Sequence, residues 1–294
     1  MIEIDATFHL SRFTFRILAL LLGFAIQPVL AQEQPEYVRF IQGDGEWQGE
    51  LQTSVVTLVD AQGVELDLVA AVHLGEEEYY AQLNEYFTTR DVVLYELVAE
   101  ANQIPVRDGA RSSSLIGFIQ HAMADFLGVG FQLNEIDYSP FNFLHADLTP
   151  SQLQALMASK NESFLTMFLD LAMAQMALES KAGDEPLSPF NMLSLLRAMN
   201  AEDQSAAFKY LFAAELGRSG GVIVAAEFEQ QFTILGDRNA VALRVLGEAM
   251  QMPDNQRISI FYGAAHMPGI ERAAIDEMGF SRTEERWVSA WVVP

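Results

Sequence analysis

Two segments far apart in this chain follow one plan: an apolar run ends near a histidine, a short glycine-containing loop follows, and a helix begins. The first copy is residues 64–72 (VELDLVAAV) running into His73-Leu74-Gly75. The second is residues 257–262 (RISIFY) running into Gly263-Ala264-Ala265-His266, with Pro268 opening the next helix. Strands that are apolar throughout are buried on both faces, the signature of the interior of a sheet. Proline is tolerated in the first turn of a helix, so it reads there as a start and not as a break. A sheet assembled from both ends of the chain is therefore the expectation.

The flanking residues extend this plan. Residues 51–59 (LQTSVVTLV) are rich in β-branched side chains and Asp60-Ala61-Gln62-Gly63 carries turn chemistry, so 51–59 and 64–72 form a hairpin. After Gly75, Glu76, Glu77 and Glu78 fill the first turn of a helix, where carboxylates suit the dipole. Tyr79, Tyr80, Leu83, Tyr86 and Phe87 recur along it at helical spacing. Residues 91–97 (DVVLYEL) form the next strand, and a strand–helix–strand unit favours parallel pairing. Near the other end, Gly236-Asp237-Arg238-Asn239 starts a helix running to about Met250, and residues 287–293 (WVSAWVV) close the sheet.

Between these halves, about residues 102–220, helical periodicity dominates, with segments around 115–126, 150–157, 163–178, 189–199 and 205–216. Its many methionines, among them Met157, Met167, Met173, Met176, Met192 and Met199, read as plastic core packing, with a methionine-lined binding surface as the rival reading. The fold class is thus α/β: a mixed, largely parallel sheet from the N- and C-terminal segments, with a helical insertion in the middle, forming one domain over residues 36–294.

Arg12 and Arg16 precede an apolar run, residues 17–26, and Val29-Leu30-Ala31 offers small residues at a cleavage site. This is the order of a secretory signal peptide over residues 1–31, cleaved after Ala31, and it implies a periplasmic or secreted protein. The apolar run is shorter than the roughly 20 residues that span a bilayer, so no stable membrane insertion is expected after its removal. Lys and Arg number 17 against 40 Asp and Glu, a net charge of −23. That balance argues against nucleic acid, whose binders carry a basic stripe, and would suit a cationic partner or a bound metal ion. With no cysteine in the chain, thiolate ligands and nucleophiles are excluded, and any metal must rest on His, Asp, Glu or backbone oxygen.

The candidate site follows from the repeated plan. In open α/β sheets, ligands bind beyond the carboxyl ends of the strands, which is where His73 and His266 fall. Glu96 has the same address, after Val92-Val93-Leu94-Tyr95, and a carboxylate there is costly to bury unless paired or bound to a cation. Two imidazoles and one carboxylate form a ligand set for a divalent ion with open positions. Arg238 sits at a helix start, where its charge opposes the dipole unless an acid compensates; Asp237 or a surface carboxylate is the local candidate. His145, in Phe143-Leu144-His145-Ala146-Asp147, is a further substrate-binding candidate. The rival reading makes His145 a packing residue and Asp147 the cap of a helix starting at Pro150.

These residues resemble the TraB/GumN/TIKI family. The resemblance lies in residues 69–96 (VAAVHLGEEEYYAQLNEYFTTRDVVLYE), the pair Arg238-Asn239, and residues 258–269 (ISIFYGAAHMPG). The family is marked by two Gly-x-x-His motifs, a Glu on the strand after the first, and an Arg-Asn pair opening a late helix. Here Ala70 stands where the first motif has glycine. The resemblance implies a fold related to the erythromycin-esterase-like and ChaN-like proteins. It also implies a metal-dependent, peptidase-like hydrolase acting on a peptide or small-molecule substrate, with Mn, Co or Zn on His73, Glu96 and His266, Glu96 and Arg238 as catalytic residues, and Arg238 and Asn239 beside the substrate. Two other readings stand beside it: a binding protein that sequesters a peptide or haem-like ligand without cleaving it, and histidines that serve only core hydrogen bonds.

Overall fold

The computed structural model describes residues 36–100, 127–162, 192–219 and 233–294. The hairpin forms where its turn chemistry places it. Strand β2 (Gly49–Val59) and strand β3 (Glu65–Ala71) pair antiparallel, with Val55 opposite Val69 and Val59 opposite Glu65. Between them the Asp60 carboxylate accepts the backbone N–H of Gln62 at 2.9 Å and of Val64 at 2.8 Å. Gly63 takes φ 87°, a conformation that glycine adopts without steric cost.

Strand β2 is long enough to be paired differently along its two edges. One edge runs beside β9 (Ser281–Val293), antiparallel along the whole strand. The other meets β1 (Val38–Gln42) over its first half and β3 over its second. Beyond β3 the sheet becomes parallel: β3 pairs with β8 (Arg257–Gly263), β8 with β5 (Val92–Tyr95), and β5 with β7 (Phe143–His145). The sheet is therefore mixed, and the block β3-β8-β5-β7 points all its carboxyl ends the same way. The two-residue strands β4 (Leu74–Gly75) and β6 (Gly130–Phe131) make a separate small ladder.

The strand–helix–strand reading of residues 64–97 holds in direction but not in adjacency. β3 and β5 run parallel, yet β8 lies between them. Residues Ile258 to Tyr262 are all buried. A central position covers both faces of a strand, and each large apolar side chain so buried contributes about 1.5–3 kcal/mol. The longer closing strand, from Ser281 and not Trp287, reflects pairing with the whole of β2, which carries its polar first half.

Alternation along the strands builds two cores. Leu66, Leu68, Ala70, Ile258, Ile260 and Tyr262 face one side, against helix α6 (Arg238–Ala249) and helix α7 (Met267–Met278). Val69, Ala71, Val93, Tyr95 and Phe261 face the other, against Tyr79, Tyr80, Leu83 and Phe87 of helix α1 (Glu77–Phe87). Successive strand side chains point to opposite faces, so a strand apolar at every position needs helices on both sides, the layering of an α/β protein.

The middle of the chain is helical over much of its described part: α3 (Pro150–Ser159), α4 (Met192–Met199) and α5 (Gln204–Ser219), after the single turn α2 (Gln132–Glu135). It is not wholly an insertion, because β7 within it joins the main sheet. Three residues, FLH, carry too little periodicity to be read as a strand. The cap of α3 is also not Asp147. Thr149 caps it in a capping box with Gln152, and Asp147 is engaged elsewhere. Met157 is buried while Met199 is exposed. The expected helices at 115–126 and 163–178, with Met167, Met173 and Met176, lie outside the described residues, as does the 1–31 segment. Among the described residues no helix is long and apolar enough to cross a membrane.

Candidate functional site

Parallel strands deliver their following residues to one rim. Glu96 comes directly after β5, its backbone N–H still donating to the Phe261 carbonyl of β8 at 3.1 Å. His266 ends the short 3-10 turn after β8, and Asp147 follows β7. Arg238 is the first residue of α6, entered through a π-type turn at Thr233–Asp237. Insertions of this kind are frequent at functional sites.

Arg238 is buried, and its charge is met by two acids. Its Nε donates to Asp147 Oδ1 at 2.9 Å, and its Nη2 donates to Asp147 Oδ2 at 2.6 Å and to Glu96 Oε1 at 2.5 Å. The Asp147 pairing is the two-pronged fork that a guanidinium makes with a carboxylate. Burial works against the Arg238 charge, but the Asp147 hydrogen bonds and the Glu96 and Asp147 carboxylates outweigh it and raise its pKa. The partners foreseen from local sequence do not apply, since Asp237 pairs with Lys160 at 2.5 Å.

Glu96 is held from several directions. Its Oε2 accepts the Gly263 N–H at 2.6 Å. A Cβ on Gly263 would lie 3.2 Å from that oxygen, so glycine is what permits the approach. Burial pushes the Glu96 carboxyl up, but His266, Arg238 and His73 together hold it well below the usual carboxylate range.

His266 and His73 are each oriented by a side-chain amide. His266 Nδ1 lies 2.7 Å from Asn239 Oδ1, and Asn239 Nδ2 donates back to the His266 carbonyl at 3.4 Å. His73 Nδ1 lies 3.2 Å from Gln132 Oε1, and the Gln132 backbone N–H donates to the His73 carbonyl at 2.9 Å. A ring nitrogen facing an amide oxygen must carry the proton, which leaves Nε2 of a neutral imidazole with its lone pair. A partner that fixes the tautomer in this way is what metal-binding histidines use. His266 is buried at 4% exposure, whereas His73 is exposed, so core hydrogen bonding does not account for His73.

The site thus brings together Glu96, Arg238, His266 and Asn239, with His73 on the adjacent loop. Asn239, expected beside the substrate, orients His266. His145 shares the rim but spends its Nε2 on the Leu97 carbonyl at 2.6 Å, with its ring against Tyr95. Sequence reading passed over two members, Asp147 as an ion-pair partner and Gln132. Asp147 gave no such signal, because the three-residue strand before it, unlike β5, cannot be read from the sequence.

The donors fit a divalent cation in kind. His266 Nε2 and Glu96 Oε1 lie 3.6 Å apart, close to the edge of a tetrahedron with ligand distances of about 2.0–2.1 Å. Among the described residues, however, no group of three or more His, Asp or Glu is gathered closely enough to hold a metal ion. The donor chemistry is therefore in place for two ligands, with His73 presented nearby on its own loop. No family model matches the chain, and no curated protein or solved structure matches it.

Proposed function

We propose that the protein is a metal-dependent, peptidase-like hydrolase acting outside the cytoplasm on a peptide or ester bond, the activity implied by its TraB/GumN/TIKI resemblance. One observation carries this reading. With Asn239 oriented on Nδ1, His266 presents Nε2 to the Glu96 carboxylate 3.6 Å away, and an imidazole nitrogen and a carboxylate oxygen face each other stably only around a proton or a cation.

His266, Glu96 and His73 are the residues that would hold Mn, Co or Zn, which when bound supplies Lewis acidity and a water of lowered pKa. The chain's own groups do the rest. Arg238 and the Gly263 N–H fix Glu96, Asp147 fixes Arg238, and Asn239 and Gln132 fix the two imidazoles. A site whose parts are locked in advance has little reorganisation left to make during reaction.

The test is elemental analysis of residues 32–294 after metal loading, paired with cleavage of a peptide library with and without chelator. About one equivalent of metal per chain is expected, with chelator-sensitive cleavage and loss of both in His266→Ala. Metal content unchanged in that variant removes His266 as a ligand. Ligand capture without any cleavage favours the sequestering protein, and a haem ligand would declare itself by its Soret band.

A further inference from the structure

We propose that Lys209 and the end of β9 form the clamp that positions His73 in the site, a role that rests on the hydrolase reading. His73 is exposed, and loops that carry exposed side chains are the parts of a protein that open most readily. A functional group on such a loop is useful only when its support keeps it in place. Much of the support of the His73 loop comes from far along the chain.

Three successive carbonyls of that loop are taken. The Val72 carbonyl accepts the Tyr80 hydroxyl at 3.0 Å, the His73 carbonyl accepts the Gln132 N–H at 2.9 Å, and the Leu74 carbonyl accepts the Trp291 indole N–H at 2.6 Å. The Glu76 N–H donates to the Ala290 carbonyl at 2.9 Å. Gly75 lies so close to α1 that a Cβ there would stand 2.7 Å from the Tyr79 ring. Trp291 is buried at 1% exposure, so the β9 end of the clamp is part of the core.

The Glu76 carboxylate completes the clamp. Glu76 occupies the N-cap position of α1, where a side chain ordinarily accepts a backbone N–H of the first turn; it makes no such bond. Its Oε1 instead accepts the Val292 N–H at 3.0 Å and the Lys209 ammonium at 2.5 Å. Lys209 lies on α5, 133 positions away, with its side chain 11% exposed. An ammonium so buried costs free energy unless a charge meets it, and the carboxylate it meets sits on the loop that carries His73. The pair therefore holds the loop against α5 as well as against β9. Without it the loop shifts, while the parallel strands behind it keep their own pairing.

The experiment compares wild type with Lys209→Met and has two readouts. Deuterium exchange over residues 73–76 should be about tenfold faster in Lys209→Met, while residues 92–95 of β5 exchange as in wild type. On a panel of p-nitrophenyl esters and fluorogenic peptides, kcat should fall by at least about tenfold, with KM changed by less than about threefold, because a small misplacement caused from a distance is costly to the reaction. Should Lys209→Met not fold, the double variant Lys209→Met, Glu76→Gln leaves no unpaired carboxylate and carries the same comparison. Exchange in the loop at the wild-type rate, or an unchanged kcat with a loosened loop, overturns the clamp and leaves the hydrolase reading standing. Wild type that turns over no member of the panel overturns both.

Discussion

A guanidinium buried between two carboxylates is stable only as a set. Arg238, Glu96 and Asp147 have side chains that are nine-tenths or more buried, and removing one member leaves the others desolvated and unpaired. Asp147→Ala should therefore lower unfolding free energy by about 3–5 kcal/mol, the usual cost of breaking a buried ion pair. Urea denaturation measures it, and a loss below about 1 kcal/mol would mean that the pair is screened as surface pairs are. At this scale the sequence was informative where a charged residue follows an apolar strand, because burial of such a residue demands a partner. Glu96 and His266 were legible on that ground. Gln132 was not. Its importance comes from the loop that brings it under His73, and nothing in Gly130-Phe131-Gln132 announces a partner 59 positions earlier.

Elements in this protein are set by local chemistry that substitutions can test cleanly. Gly63 and Gly247 both have open space where a Cβ would go, so alanine at either site acts through the backbone and not through a clash. At Gly63, in the left-handed region at φ 87°, alanine should cost about 1–2 kcal/mol. At Gly247, inside α6, alanine should stabilise by about 0.5–1 kcal/mol. Thermal or urea midpoints should move in opposite directions, and a shared sign would contradict these backbone assignments. The hairpin, α1, α5 and α6 could be read from periodicity and turn residues. The strand β7 could not, since three residues are too few to show a period, and its place in the sheet is decided by pairing with β5.

The whole molecule carries its stability in a sheet covered on both faces, and that core has a pH signature at the alkaline end. Burial pushes the Tyr79 phenol up to about 12, against about 10 in an unfolded chain. The folded state thus holds this proton more tightly. Its contribution is fully present below pH about 10 and is lost as pH rises from there toward 12. Urea midpoints should be insensitive to this group up to about pH 10 and fall beyond it, together with phenolate absorbance at Tyr79; ionisation of Tyr79 in the intact fold below pH 10 would contradict its burial. The α/β class was legible because apolar strands and amphipathic helices leave few ways to layer. The order of strands was not, because which of several apolar strands sits centrally is settled by competition over the whole chain. The outcome, β8 lodged between β3 and β5, fixes a timetable. A ribosome that has not yet reached residue 257 has made two halves of a sheet with no middle, and the rim that gathers Glu96 and His266 cannot exist until the closing segment arrives. Assembly of the rim therefore waits on β8.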